Sequence, residues 1–267
     1  MGTLVCFHAH PDDECISTGG SIARAAAEGH RVVLVVATNG EFGETPDDLV
    51  DGETLVDRRR SEVERSANVL GVHRVSWLGY KDSGMTGWEQ NADPGSFWQA
   101  PIEEAAERLA AILREESADV LTTYDWHGNY GHPDHIQVHR VGNRAAELAA
   151  TPTVFEATMN RDHIVKMIMA AREAGGEVPG GEDFDPAGPA DDGNPFGMAE
   201  QELTHAIDVT GYIAAKRESM RCHASQITDT SFFLMMPDDV FSGSFGTEWF
   251  IKHGAEPGPR PGWLFEE

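Results

Sequence analysis

Basic side chains are scarce in this chain. Lys and Arg together number 20 against 45 Asp plus Glu, a formal net charge of -25. Nucleic acid and anionic membrane surfaces both require a basic footprint, so neither is expected as a partner. The acidic excess itself reads as solubility or adaptation to salt. Cysteine is also sparse, at three residues with no paired spacing. That count makes no disulfide framework and suits a reducing compartment. Nowhere do about 18 apolar residues run together, and no basic segment followed by an apolar one opens the chain. The expectation is a soluble, cytoplasmic protein with no membrane segment. A dinucleotide fingerprint is missing too: the first strand is followed by Thr18-Gly19-Gly20, which does not make Gly-x-Gly-x-x-Gly.

What the chain does contain is a pair of matching turns. Leu4-Val5-Cys6-Phe7-His8-Ala9 is an apolar run that breaks into His10-Pro11-Asp12-Asp13-Glu14. A run of this length reads as a buried strand, and Pro11 cannot continue it, so the acids fall on the following turn. Three adjacent carboxylates repel one another, and a bound cation turns that repulsion into attraction. Far downstream Val120-Leu121-Thr122-Thr123-Tyr124 runs into a polar turn that carries His132-Pro133-Asp134-His135. Ligands of open α/β folds bind outside the carboxyl ends of strands, where both turns would lie.

Between these turns the pattern is α/β. Strands are expected at 4–9, Arg31–Thr38, Arg74–Leu78, Val120–Tyr124, Val154–Thr158 and, last, Leu203–Val209. Helices are expected at Ser21–Glu28, Val56–Leu70, Ile102–Glu116, Pro133–Ala149, Asp162–Arg172 and Gly211–His223. Residues 174–200, rich in Gly, Pro and Asp, read as a long loop or lid, and the tail as irregular with many aromatics. The length of 267 residues fits one α/β domain with a mostly parallel, Rossmann-like sheet and a large core.

Two histidines and a carboxylate form a ligand set for zinc, with positions left open for water; Fe(II) suits the same donors. His10 and Asp13 can point into one pocket around a tight turn, and His135 can reach it from the next helix. Asp12, beside a ligand, suits a general base. His132 is either a further ligand or a free general acid or oxyanion donor, and Asp134 is placed to orient a neighbouring imidazole. Glu14 either supports the ligands from behind or, as the plainer reading has it, is simply solvated, and His8 reads as core packing. His127 carries only a weak pocket-lining signal, and nothing local gives His223 a role.

Ala9-His10-Pro11-Asp12-Asp13-Glu14 with Gly131-His132-Pro133-Asp134-His135 resembles the PIG-L/LmbE family of zinc-dependent N-acetylglucosaminyl deacetylases. The resemblance is to the actinobacterial branch that holds the mycothiol-pathway deacetylase and the mycothiol S-conjugate amidase. It runs from residue 3 to about 150, including Arg59-x-x-Glu62, Leu70-Gly71-Val72 and Asp82-Ser83-Gly84-Met85, and reappears over Asp208–Gln226. It implies zinc held by His10, Asp13 and His135, with Asp12 as general base and His132 as general acid oriented by Asp134. Tyr130 would polarise the amide carbonyl, and Arg59, Asp82 and Glu41 would bind sugar hydroxyls or the attached group. Ser17 matches the small polar residue of the deacetylases, where the amidase branch carries lysine.

The reaction so implied is hydrolytic release of acetate from a small N-acetylated amino sugar, without a covalent intermediate. Three rivals stand beside it. One is an amidase acting on a larger conjugate, another a non-catalytic metal- or sugar-binding module, the third a nucleotide-binding Rossmann protein. The missing glycine fingerprint and the acids where a phosphate would sit weigh against the last. Assembly into a homo-oligomer is left open by the sequence.

Overall fold

The computed structural model describes residues 1–173 and 185–265. In chain order the strands are β1 (Thr3–His8), β2 (Arg31–Thr38), β3 (Arg74–Tyr80), β4 (Val120–Tyr124), β5 (Thr153–Thr158), β6 (His205–Asp208), β7 (Thr247–Lys252) and β8 (Arg260–Pro261). The helices are α1 (Gly19–Ala27), α2 (Leu55–Leu70), α3 (Ile102–Glu115), the single turn α4 (Gly128–Gly131), α5 (Pro133–Ala149), α6 (Arg161–Glu173), α7 (Ile213–Cys222), the short α8 (Phe232–Met235) and α9 (Asp238–Phe245).

All the described strands join one sheet in the order β3-β2-β1-β4-β5-β7-β6-β8. Strands β3 to β5 along that order pair in parallel. Val32 to Ala37 of β2 are completely buried, as covering a parallel sheet on both faces requires. Helices α1, α2 and α7 pack together on one face and α3 with α5 on the other. The helices leaving β1 and β4 therefore go to opposite faces. The crevice between those strand ends is the switch point at which open α/β sheets bind ligands.

Local signals set the helix boundaries. Thr54 caps α2 through a reciprocal pair of bonds with Asp57, and Gly71 ends it in the left-handed conformation at φ 76°. Pro133 occupies the first turn of α5.

The C-terminal region departs from the expectation of an irregular tail. Leu203–Val209 holds a shorter strand, His205–Asp208, and it is not the last. Strand β7 inserts between β5 and β6, antiparallel to both. Its sequence, Thr-Glu-Trp-Phe-Ile-Lys, is β-prone. Glu248 within it is buried against Lys216 at 2.5 Å, which removes the charge that argues against an interior strand. Of the 174–200 segment, residues 174–184 lie outside the described residues. The remainder packs onto the turn after β4, with Asp191 N donating to Tyr130 O at 3.1 Å and Gly197 N to Asn129 O at 2.6 Å.

Candidate active site

The turn after β1 is wound unusually. Asp12 has φ 104°, outside the range that side chains normally adopt, and Glu14–Thr18 follows as a π-helical turn. Three groups hold it. The Arg59 guanidinium, buried on α2, donates to Pro11 O, to Gly40 O at 2.6 Å and to Asp12 Oδ2 at 3.1 Å. Glu14 Oε2 accepts from Asp12 N at 3.0 Å. Asp13 Oδ2 accepts from His10 N at 2.8 Å.

Glu14 is thus not solvated. It is completely buried, and its Oε1 lies 2.6 Å from both Ser66 Oγ and His223 Nε2. His223, without an evident role in the sequence, is the partner of this carboxylate. His8 packs in the core with its two nitrogens on Tyr124 Oη and Thr18 Oγ1, at 2.7 and 2.9 Å.

The turn after β4 is organised by Asp125, completely buried, whose Oδ1 accepts from His127 N and Asn129 N at 3.1 Å each. Gly128 adopts φ 65°, and a Cβ there would lie 2.3 Å from His135 Cβ. Only glycine lets the turn pass so close to α5. His127 is buried, with Nδ1 3.3 Å from Asp192.

The two turns meet. Asp13 Oδ2 lies 3.4 Å from His10 Nδ1 and 3.4 Å from His135 Nε2. Donors around a tetrahedral zinc ion, each about 2.0–2.2 Å from it, are about 3.3–3.5 Å apart. His135 is 4 % exposed, yet neither of its ring nitrogens has a hydrogen-bond partner. A buried imidazole that makes no hydrogen bond is costly unless an ion takes its lone pair. His132 also offers a nitrogen within 4.8 Å of donors from His10 and His135. These residues fit a bound metal.

Around them sits a second layer of carboxylates. Asp134 Oδ2 is 3.1 Å from His10 Nε2, and Asp82 Oδ1 is 3.6 Å from the same nitrogen. The imidazole that the Asp134 carboxylate orients is therefore His10, through the nitrogen turned away from Asp13. Ser83 fixes that carboxylate through its backbone N at 2.8 Å and through its hydroxyl. His132 is oriented by backbone instead: its Nδ1 accepts from Asp134 N at 3.1 Å. An acceptor Nδ1 leaves the ring proton on Nε2. Burial and the neighbouring His10 push the His132 pKa down to about 2.

Burial pushes the Asp12 carboxyl up to about 6, against the opposing pull of Arg59. Tyr130 stacks edge-on against His135 at 5.0 Å between centroids, and burial raises its phenol well above the usual range. Glu41, half-buried beside Asp82, is raised by burial, and its Oε2 has no partner. Ser17 lies on the π-helical turn and lines a cavity with Thr158, Lys216 and Glu248, whereas Arg59, Asp82 and Glu41 do not line it. The residues that sequence reasoning missed are Ser83 and the two partners of Glu14, Ser66 and His223. Ser83 stood in a stretch already noted, but Glu14 and His223 are separated by 209 residues.

The fold and site define an α/β protein with a buried histidine–carboxylate centre at the switch point of its sheet. The family model "GlcNAc-PI de-N-acetylase" (PIG-L) matches residues 5–146, and the chain belongs to that family. It is 38 % identical to the 1D-myo-inositol 2-acetamido-2-deoxy-alpha-D-glucopyranoside deacetylase of Nocardioides sp., over 96 % of this chain and 93 % of that one. It is 40 % identical to the Streptomyces griseus enzyme of the same name, over 97 % and 85 %. Among solved structures it shares its fold with the N,N'-diacetylchitobiose deacetylase of Pyrococcus horikoshii. That match has a TM-score of 0.55 and 23 % identity, over 94 % of this chain and 83 % of the other.

Proposed function

We propose that this protein hydrolyses the acetamide of an N-acetylated amino sugar of the N-acetylglucosaminyl type, giving acetate and a free amine. The observation that carries the reading is the convergence of His10, Asp13 and His135 donors beside a buried Asp12, in a chain of the PIG-L family. His10 Nδ1, Asp13 Oδ2 and His135 Nε2 would hold a zinc ion, and a ferrous ion suits the same donors. A bound zinc ion supplies Lewis acidity toward the carbonyl and makes water acidic enough to attack near neutral pH.

The chain's own residues do the rest. Asp12, held by Arg59 and with its carboxyl near 6, is suited to take a proton from the attacking water and to return one. Tyr130 keeps its proton and donates a hydrogen bond to the oxyanion as the carbonyl carbon becomes tetrahedral. His132 contributes its Nε2–H. Acting as a general acid would require a second proton on Nδ1, the nitrogen that accepts from Asp134 N. We therefore assign delivery of the amine's proton to Asp12 and a hydrogen-bonding role to His132. Asp82 and Glu41, beside the centre, supply acceptors for sugar hydroxyls, with Arg59 bracing that wall.

The test is amine release from a panel of N-acetylglucosamine derivatives, before and after chelation and with zinc or ferrous iron returned. Release that stops on chelation and recovers with metal is expected. No release from any member by metal-loaded protein would sink the reading.

A further inference from the structure

Asp12 sits in a backbone conformation that side chains disfavour, and such a turn relaxes unless its surroundings over-determine it. Arg59 grips its carboxylate, and Glu14 Oε2 accepts from its backbone N at 3.0 Å. Glu14 holds that N–H firmly only while its other oxygen is fixed. Oε1 accepts from Ser66 Oγ and from His223 Nε2, each at 2.6 Å, and all three side chains are completely buried.

One helix face frames this arrangement. Arg59, Glu62 and Ser66 of α2, spaced at i, i+3 and i+7, point the same way. Arg59 reaches Asp12 and Ser66 reaches Glu14. Glu62 accepts from Ser225 N at 2.9 Å and from Ser225 Oγ at 2.6 Å. Ser225 is two residues past His223, so the same face fixes the turn and the segment that carries the imidazole to it.

A second metal ion does not account for the cluster. Cys15 brings a thiol within 4.8 Å of the Glu14 and His223 donors. That thiol is already engaged, donating to Asp12 O at 2.9 Å. The 2.6 Å between Nε2 and Oε1 is also shorter than the separation of about 3.3–3.5 Å expected for two donors on one zinc ion. A proton, carried by Nε2, lies between them.

We propose that His223 is a positioning residue for the reaction, holding the Asp12 backbone through Glu14 and so keeping the Asp12 carboxylate on the attacking water. The inference rests on the reading of Asp12 as general base. Removing the imidazole frees Glu14, loosens Asp12 N and lets the turn relax. Asp13 keeps its own anchor, the bond from His10 N at 2.8 Å, so the metal donors stay in place while the base is misplaced.

The experiment uses full-length, zinc-loaded protein and the most active member of the N-acetylglucosamine panel. It reads kcat and KM, with zinc affinity measured by competition with a chelating dye. His223→Ala should lower kcat by about 10- to 100-fold while KM and zinc affinity stay within about twofold. His223→Gln, which returns an N–H toward Glu14, should recover much of that loss. The deciding comparison is made in Asp12→Ala protein, where His223→Ala should change the residual kcat by less than about twofold, since it acts only through the missing carboxylate. Equal losses with and without Asp12 make His223 a structural residue and overturn the inference. Wild-type kcat in His223→Ala, or a fall in zinc affinity that matches the fall in kcat, overturns it as well. If His223→Ala does not fold, Ser66→Ala decides in its place. It removes the other bond to Oε1 and should lower kcat by about threefold to tenfold with Asp12 present and leave it unchanged without; any other pattern overturns the inference. No turnover by the wild type, or near-full turnover by Asp12→Ala alone, removes the parent reading and this one with it.

Discussion

Asp12 and His132 face the same reaction with opposite demands on their protons, and substitution separates them. Asp12→Ala removes the base but none of the three metal donors, so metal content should stay at wild-type level while kcat falls by about 100-fold or more. Near-full turnover would mean that another group takes the proton. His132→Ala should lower kcat by about 100- to 1,000-fold, the loss typical of one oxyanion donor. His132→Gln, which keeps a donor of similar reach, should recover part of it. If the glutamine variant is as inactive as the alanine one, His132 acts as an acid and the neutral-donor assignment fails. Gly128→Ala tests the metal site from behind. The added methyl would press on His135 Cβ at 2.3 Å and sit at a positive φ. Zinc affinity, read by competition with a chelating dye, should weaken by about 10- to 100-fold. Unchanged affinity would exclude His135 from the ligand set. At this scale the sequence was most informative where short-range spacing fixes geometry: His10 to Asp13, and Pro133 at the head of α5 before His135. It was least informative where partners come from distant segments. Glu14 read as one more solvated acid because Ser66 and His223 arrive from α2 and from just past α7.

Strand β7 carries the same lesson at the scale of elements. Its pattern of Thr, Trp, Phe and Ile is β-prone, but Glu248 and Lys252 interrupt it, and the tail read as irregular with many aromatics. Only the fold supplies what neutralises Glu248: Lys216 Nζ at 2.5 Å and the backbone N–H groups of Gly20 and Ser21 at 2.8 and 2.9 Å. The last two donors open α1, where a negative charge is favoured. Breaking a buried ion pair from one side leaves an uncompensated charge and costs about 3–5 kcal/mol. Glu248→Leu should therefore lower stability to denaturant by about that amount, and Lys216→Met combined with it should restore a large share. If the double variant is no more stable than Glu248→Leu alone, Lys216 is not the group left stranded.

A second carboxylate, Glu156 of β5, ties α5 to the end of β7. Its Oε1 lies 3.3 Å from His139 Nδ1 and 2.8 Å from His253 Nε2. Despite burial, its bonds to His139 and His253 hold the Glu156 carboxyl down at about 2, while Glu156 raises His139. A carboxyl depressed in the folded state contributes stability above its unfolded value of about 4.3 and loses it as pH falls toward 2. The raised His139 contributes below about 6.5 and loses it as pH rises through its folded value. The stability gap between wild type and Glu156→Gln should therefore be widest near pH 5–6 and narrow in both directions. A gap that does not change with pH would remove the ionic part of this link.

For the molecule as a whole, the excess of acids decides how it responds to salt. Ion pairs such as Arg58 with Glu53 and Arg144 with Glu103 use basic groups of which there are only 20, against 45 acids. Acids outnumber bases by 25, and a net charge of -25 repels itself more in the compact state than in the unfolded one. Added salt screens exposed charges over about 10 Å at 0.1 M and about 3 Å at 1 M. It weakens the exposed ion pairs as well, but each of those contributes at most about 1 kcal/mol. The repulsive sum should win. The melting temperature is expected to rise by several degrees between 10 mM and 0.5 M sodium chloride, and sodium and potassium chloride should act alike because screening does not distinguish them. A melting temperature that falls with salt would mean the paired charges outweigh the unpaired ones, and would turn the acidic composition from a burden on the fold into part of what holds it.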